Sequence, residues 1–192
     1  SRAREFASSS KKTDVKQGIK LGPLTKSIAD DGSLSYSTVQ VILNRTARTA
    51  TINLTGPDEA APLDMANFEA QGDQAYLLRM ARELDDAILH LRLNETEVGL
   101  WIFRTQGDPQ ILAAHEYLLK QNSDNWLANE VRQYLKRILK RIDVTSRSMV
   151  ALIEHGSCFI GILAELLFAV DRSYMMEDEF EDCLLYTSPS PR

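Results

Sequence analysis

One stretch limits what this chain can fold into more than any other: Asp143 to Tyr174, DVTSRSMVALIEHGSCFIGILAELLFAVDRSY. It opens with a short apolar run, Met149 to Ile153, of the length of a buried strand. A turn containing Gly and Ser follows, from Glu154 to Cys158. The segment from Ile160 to Val170 is then apolar except for Glu165. A buried strand, a glycine-bearing turn and a helix that is apolar nearly all round belong in the interior of a layered α/β protein. The rest of the chain is expected to cover this unit, and a site is expected at its turn.

The flanking sequence supplies the layers. Residues 1–20 are rich in Ser and Lys and poor in large apolar groups, which reads as a linker or mobile arm. Val39, Val41 and Leu43 alternate with polar residues, as do Ala50, Ile52 and Leu54, so a hairpin is expected across Asn44–Arg48. Pro57 to Gly72 reads as irregular and acidic. Helical spacing of Leu77, Met80, Ala81, Leu84, Ala87, Ile88 and Leu91 predicts a helix from about Asp73 to Leu93. Val98 to Phe103 reads as a buried strand. Asp108 before Pro109 suits an N-cap and first helical position, so a helix is expected to Lys120. A further helix is expected over 126–142, and a strand from Ser173 to Met176. This alternation is an α/β order without an internal repeat.

Composition narrows the class. The 192 residues are enough for one domain with a sizeable core, and 44% hydrophobic with 26% charged residues is ordinary for a globular protein. A net charge of -5 argues against nucleic acid as a partner, and no uncharged apolar run is long enough to span a bilayer. Two cysteines give no disulfide framework, and a cytoplasmic location is expected. The start at Ser1 rather than Met suggests a piece of a larger protein. The tail 183–192, back-translated, resembles one frame of a transposase-based sequencing adapter, so native sequence is expected to end near Asp182.

Three stretches carry a family likeness. MARELDDAILHLRLNE, LWIFRTQGDPQILAA and IDVTSRSMVALIEHGSCFIGILAELLFAVDRSYM, with the hairpin segment Arg48 to Leu54, fall in the order of the crotonase (enoyl-CoA hydratase/isomerase) superfamily. Within it they resemble the C-terminal half of double-length members that open the ring of 2,3-epoxybenzoyl-CoA in aerobic benzoate degradation. The likeness covers nearly all of Leu21 to Met176. It implies a crotonase-like ββα spiral over 21–182, truncated at its C-terminal end. It also implies a carbon–carbon lyase acting on a coenzyme A thioester, with no cofactor and no metal. In such proteins the catalytic acids are thought to lie in the N-terminal half, which would also bind the acyl-CoA. This half would then be an inactive scaffold that contributes to a homodimer. The alternative is an independent enoyl-CoA hydratase/isomerase-like domain.

The resemblance also suggests site residues. Crotonases polarise a thioester carbonyl with two backbone N–H groups, and the corresponding places here are Gly107 and Gly161. Glu165 falls near the place of a catalytic carboxylate. The usual run of adjacent glycines is missing, however. Phe159, Ile160 and Ile162 crowd the second place, and the spacing from Gly156 to Glu165 is one residue longer, which points to a structural Glu165. Cys158 has no evident partner base, and His90, His115 and His155 lack metal-ligand spacing. The basic residues Arg132, Lys136, Arg137, Lys140 and Arg141 read as a solvated helix face.

Overall fold

The computed structural model describes residues 2–9 and 18–176. The acidic run from Glu177 and the adapter-like tail lie outside these, as does part of the N-terminal stretch. Within that stretch Arg2–Ser9 is helical (α1).

A seven-stranded sheet forms the frame, its strands in chain order. Two short strands, β1 (Ser27–Ile28) and β2 (Leu34–Ser35), lead antiparallel into the expected hairpin of β3 (Val39–Asn44) and β4 (Thr49–Thr55). Arg48 takes the left-handed conformation at φ 55° in the hairpin turn. From β4 onward the sheet is parallel, through β5 (Leu100–Gln106), β6 (Ser148–Ile153) and β7 (Arg172–Met175). Parallel neighbours need crossover connections. These are supplied by α3 (Tyr76–Asn94), by the pair α4 (Pro109–Gln121) and α5 (Trp126–Asp143), and by α6 (Gly161–Ala169).

Strand alternation places the core on one face. Val41, Ile52, Phe103 and Ala151 lie side by side in register and are buried, whereas Gln40, Ile42 and Arg104 on the alternate positions are exposed. Leu84, Ile88, Val131, Ile138, Leu163 and Leu166 of α3, α5 and α6 complete the same core. Glu83 fixes α3 to the start of the hairpin. Its carboxylate, 3% exposed, accepts from the amides and hydroxyls of Ser37 and Thr38, the Thr38 bonds at 2.7 and 2.6 Å.

Three expectations need correction. The segment read as irregular contains a helix, α2 (Met65–Gln71), capped by Asp64 and anchored by the buried Met65 and Phe68. The strand expected over Val98 to Phe103 runs instead from Leu100 to Gln106. Among the described residues α6 is not covered all round: only its Leu163 and Leu166 are buried, and Phe168 is 82% exposed. The apolar character of α6 therefore exceeds what the described residues cover.

Candidate functional site

The β6–α6 turn is where the architecture opens. A groove of about 950 Å³ lies between α4, α5 and α6, and Gly161, Glu165, Ile160 and Ile162 line it together with Asp108, Pro109 and Glu116. Asp108 is the N-cap of α4, accepting from the amides of Gln110 and Ile111 at 2.7 and 3.3 Å.

Of the three residues suggested by the resemblance, Gly161 and Glu165 reach this groove and Gly107 does not line it. Gly107 sits where the ends of β4 and β5 touch. A Cβ there would come within 2.9 Å of the Gly56 Cα, while the Gly56 amide donates to the Gln106 carbonyl at 2.7 Å. Its own amide points to the Gly156 carbonyl at 3.4 Å. Glycine at 107 is thus accounted for by a close backbone approach and φ 149°.

Gly161 begins α6 at φ 50°, after Ile160, which supplies no capping side chain. The missing cap comes from another helix. Glu116 Oε1 accepts from the Ile162 amide at 2.7 Å, and a Cβ at 161 would fall inside the Glu116 carboxylate. Burial pushes the Glu116 carboxyl up to about 7; the Ile162 N–H opposes that rise and the Glu165 charge adds to it. Sequence reading missed Glu116, because a lone acid on an amphipathic helix looks like a solvated residue. Phe159 is fully buried in the core, while Ile160 and Ile162 flank the groove.

The remaining candidates have structural partners. Cys158 is buried, its amide donates to Thr105 Oγ1 at 2.9 Å, and burial pushes its thiol up to about 11. His155 is exposed. His115 is buried against the edge of the Tyr76 ring, with Nε2 at 3.0 Å from the Glu59 carbonyl. His90 lies 3.0 Å from the Asn94 amide group. Among the described residues no group of His, Cys, Asp and Glu is placed to hold a metal ion. The basic face of α5 is divided: Arg141 pairs with Asp85, Arg137 lies over Tyr134, and Arg132 and Lys136 line the groove.

Fold and groove together define a mixed α/β domain whose parallel strands feed a helix start beside an open cleft. Solved structures to which it is similar include enoyl-CoA hydratases. Those from Geobacillus kaustophilus and Shewanella pealeana match at 15% and 13% identity and TM-scores of 0.46 and 0.47. The first match covers 74% of this chain and 47% of that one; the second covers 72% and 46%. By sequence the chain is related to benzoyl-CoA-dihydrodiol lyase of Aromatoleum evansii, with 43% identity over 176 residues. That alignment takes in 92% of this chain, which spans only 32% of the relative's length. No protein-family model matches the chain.

Proposed function

We propose that this chain is a scaffold portion of a benzoyl-CoA-dihydrodiol lyase, a carbon–carbon lyase that opens the ring of 2,3-epoxybenzoyl-CoA. The reading rests on the relationship to the Aromatoleum evansii protein across nearly the whole chain. In it, the acyl-CoA binds through the N-terminal half of the lyase, which carries the catalytic acids. This portion contributes core, surface and homodimer contacts in the cytoplasm, and it uses neither cofactor nor metal. No helix among the described residues is long and apolar enough to cross a membrane.

The single observation that carries the scaffold role is the occupied helix start. The Ile162 amide is bonded to Glu116, and the Gly107 amide is turned to Gly156. The Gly107 donor is thus taken up inside the protein, and the Glu116 carboxylate holds the amide next to Gly161, the second expected donor; an oxyanion site works only when its donors are free and aimed at the developing charge. Glu165 lies on the groove without such a pair beside it, so its role is structural. An independent hydratase or isomerase would need both donors, and the internal bonds count against that alternative.

Calorimetric titration of the folded chain with benzoyl-CoA tests this directly. The expected result is no measurable heat of binding. Micromolar affinity, weakened by Glu165→Gln, would mean a working thioester site in this portion and would overturn the scaffold reading.

A further inference from the structure

The contact between Glu116 and α6 is more than a cap. The first amides of a helix lack intrahelical acceptors, and a residue at the N-cap normally satisfies one of them. Here Ile160 offers nothing, and Leu163 and Ala164 already donate to its carbonyl. The Ile162 N–H is instead taken by a carboxylate reaching across from α4, 46 residues earlier in the chain. Gly161 makes this possible, since any side chain at that position would occupy the same space. The carboxylate therefore lies at the wall of the groove, between the helix start and the open volume.

We propose that Glu116 is an intramolecular plug: its carboxylate occupies the place at Gly161 and Ile162 that an acyl thioester oxygen would need, and so closes this groove to such ligands. The inference rests on the scaffold reading and explains how that state is maintained. A thioester carbonyl would compete for the same N–H and meet the lone pairs of a carboxylate. Glu165 on α6 and Asp108 at the head of α4 add negative charge around it, whereas Lys120 on α4 and Arg132 and Lys136 on α5 line the groove with positive charge. Removing the carboxylate would leave the Ile162 amide without an acceptor beside vacated space, and an unmet buried donor favours any acceptor that can reach it. The plug, on this account, is what keeps an acyl-CoA carbonyl from the amide at the start of α6.

Glu116→Ala tests the idea with benzoyl-CoA as the probe, measured by calorimetry beside the parent chain, with circular dichroism reporting folding. Glu116→Asp, which withdraws the carboxylate by one methylene, serves as the milder variant. The expected result is measurable binding by the folded variant where the parent shows none, at an affinity about tenfold or more above the limit set by the parent, the scale of one recovered hydrogen bond to a charged or strongly polarised group. Glu116→Gln keeps a carbonyl on the Ile162 amide and is expected to bind no better than the parent. A folded Ala or Asp variant that binds no better than the parent would overturn the proposal. So would failure of both variants to fold, because Glu116 would then be a strut and not a plug. Tight binding by the parent itself would instead overturn the scaffold reading.

Discussion

Glu116 caps a helix it does not belong to: its Oε1 accepts the Ile162 amide of α6 at 2.7 Å, from the third turn of α4. The bond fixes the β6–α6 turn against the helix that precedes it by two elements. Glycine at 161 suits this contact, since a Cβ there would fall inside the carboxylate, and it suits the φ of 50°. Three expected outcomes follow from this contact and from two other buried groups, Glu83 and Cys158.

The first concerns pH. A glutamate carboxyl ordinarily loses its proton near 4.5, and burial moves that of Glu116 up to about 7. Between these values the folded chain binds more protons than the unfolded one, so this group's contribution favours folding most at the acid end. Stability falls as pH rises through 7, by about 1–3 kcal/mol across the window. Glu116→Gln keeps an acceptor on Ile162 and carries no charge, so it is expected to remove this slope and to be the more stable form above pH 7. Urea midpoints of both proteins at several pH values measure the difference; parallel curves would refute it.

The second concerns Glu83. Four donors from Ser37 and Thr38 converge on a carboxylate that is 3% exposed. Glu83→Ala strands those donors between α3 and the hairpin, at a cost on the order of 3 kcal/mol or more. Urea unfolding is expected to show the loss in the midpoint. A change below about 1 kcal/mol would mean that water replaces the carboxylate at little cost.

The third concerns Cys158. A thiol pushed up to about 11 and shielded from solvent is almost wholly protonated at neutral pH, and it is the thiolate that reacts. Native protein treated with an alkylating agent is expected to leave the peptide containing Cys158 unmodified, while protein in denaturant labels fully. Rapid labelling of that peptide in the native state, read by mass spectrometry, would restore Cys158 as a candidate nucleophile.

Most of the frame was legible in the sequence because periodicity reports burial. Val39, Val41 and Leu43 alternate in the text and in the sheet, and Leu84, Ile88 and Leu91 share one face of α3 as their spacing predicts. Asp108 with Pro109 announced the start of α4, and the structure has the cap there. α2 was hidden because only Met65 and Phe68 of its seven residues are buried, too few to show a period. β1 and β2 are two residues each and are held by their neighbours rather than by any pattern of their own. α6 misled in the other direction, since its hydrophobicity is matched by burial only at Leu163 and Leu166.

The candidate site was less legible, for a physical reason. Gly161 and Glu165 are marked by their place in a motif, and the structure brings both to the groove. Gly107 is explained by its contact with Gly56, which neither residue reveals alone. Glu116 matters only through a partner distant in sequence, and such a pairing leaves no periodic trace.

The central claim is that a side chain of this protein already holds the amide at the start of α6. Nitrogen–proton correlation spectra of the labelled chain between pH 5 and 9 test it most directly. The account predicts that the Ile162 amide shift follows a single titration with a midpoint near 7, and that Glu116→Gln abolishes the titration while keeping the resonance dispersed. An Ile162 amide indifferent to pH in the parent chain, or one that titrates unchanged in Glu116→Gln, would contradict it.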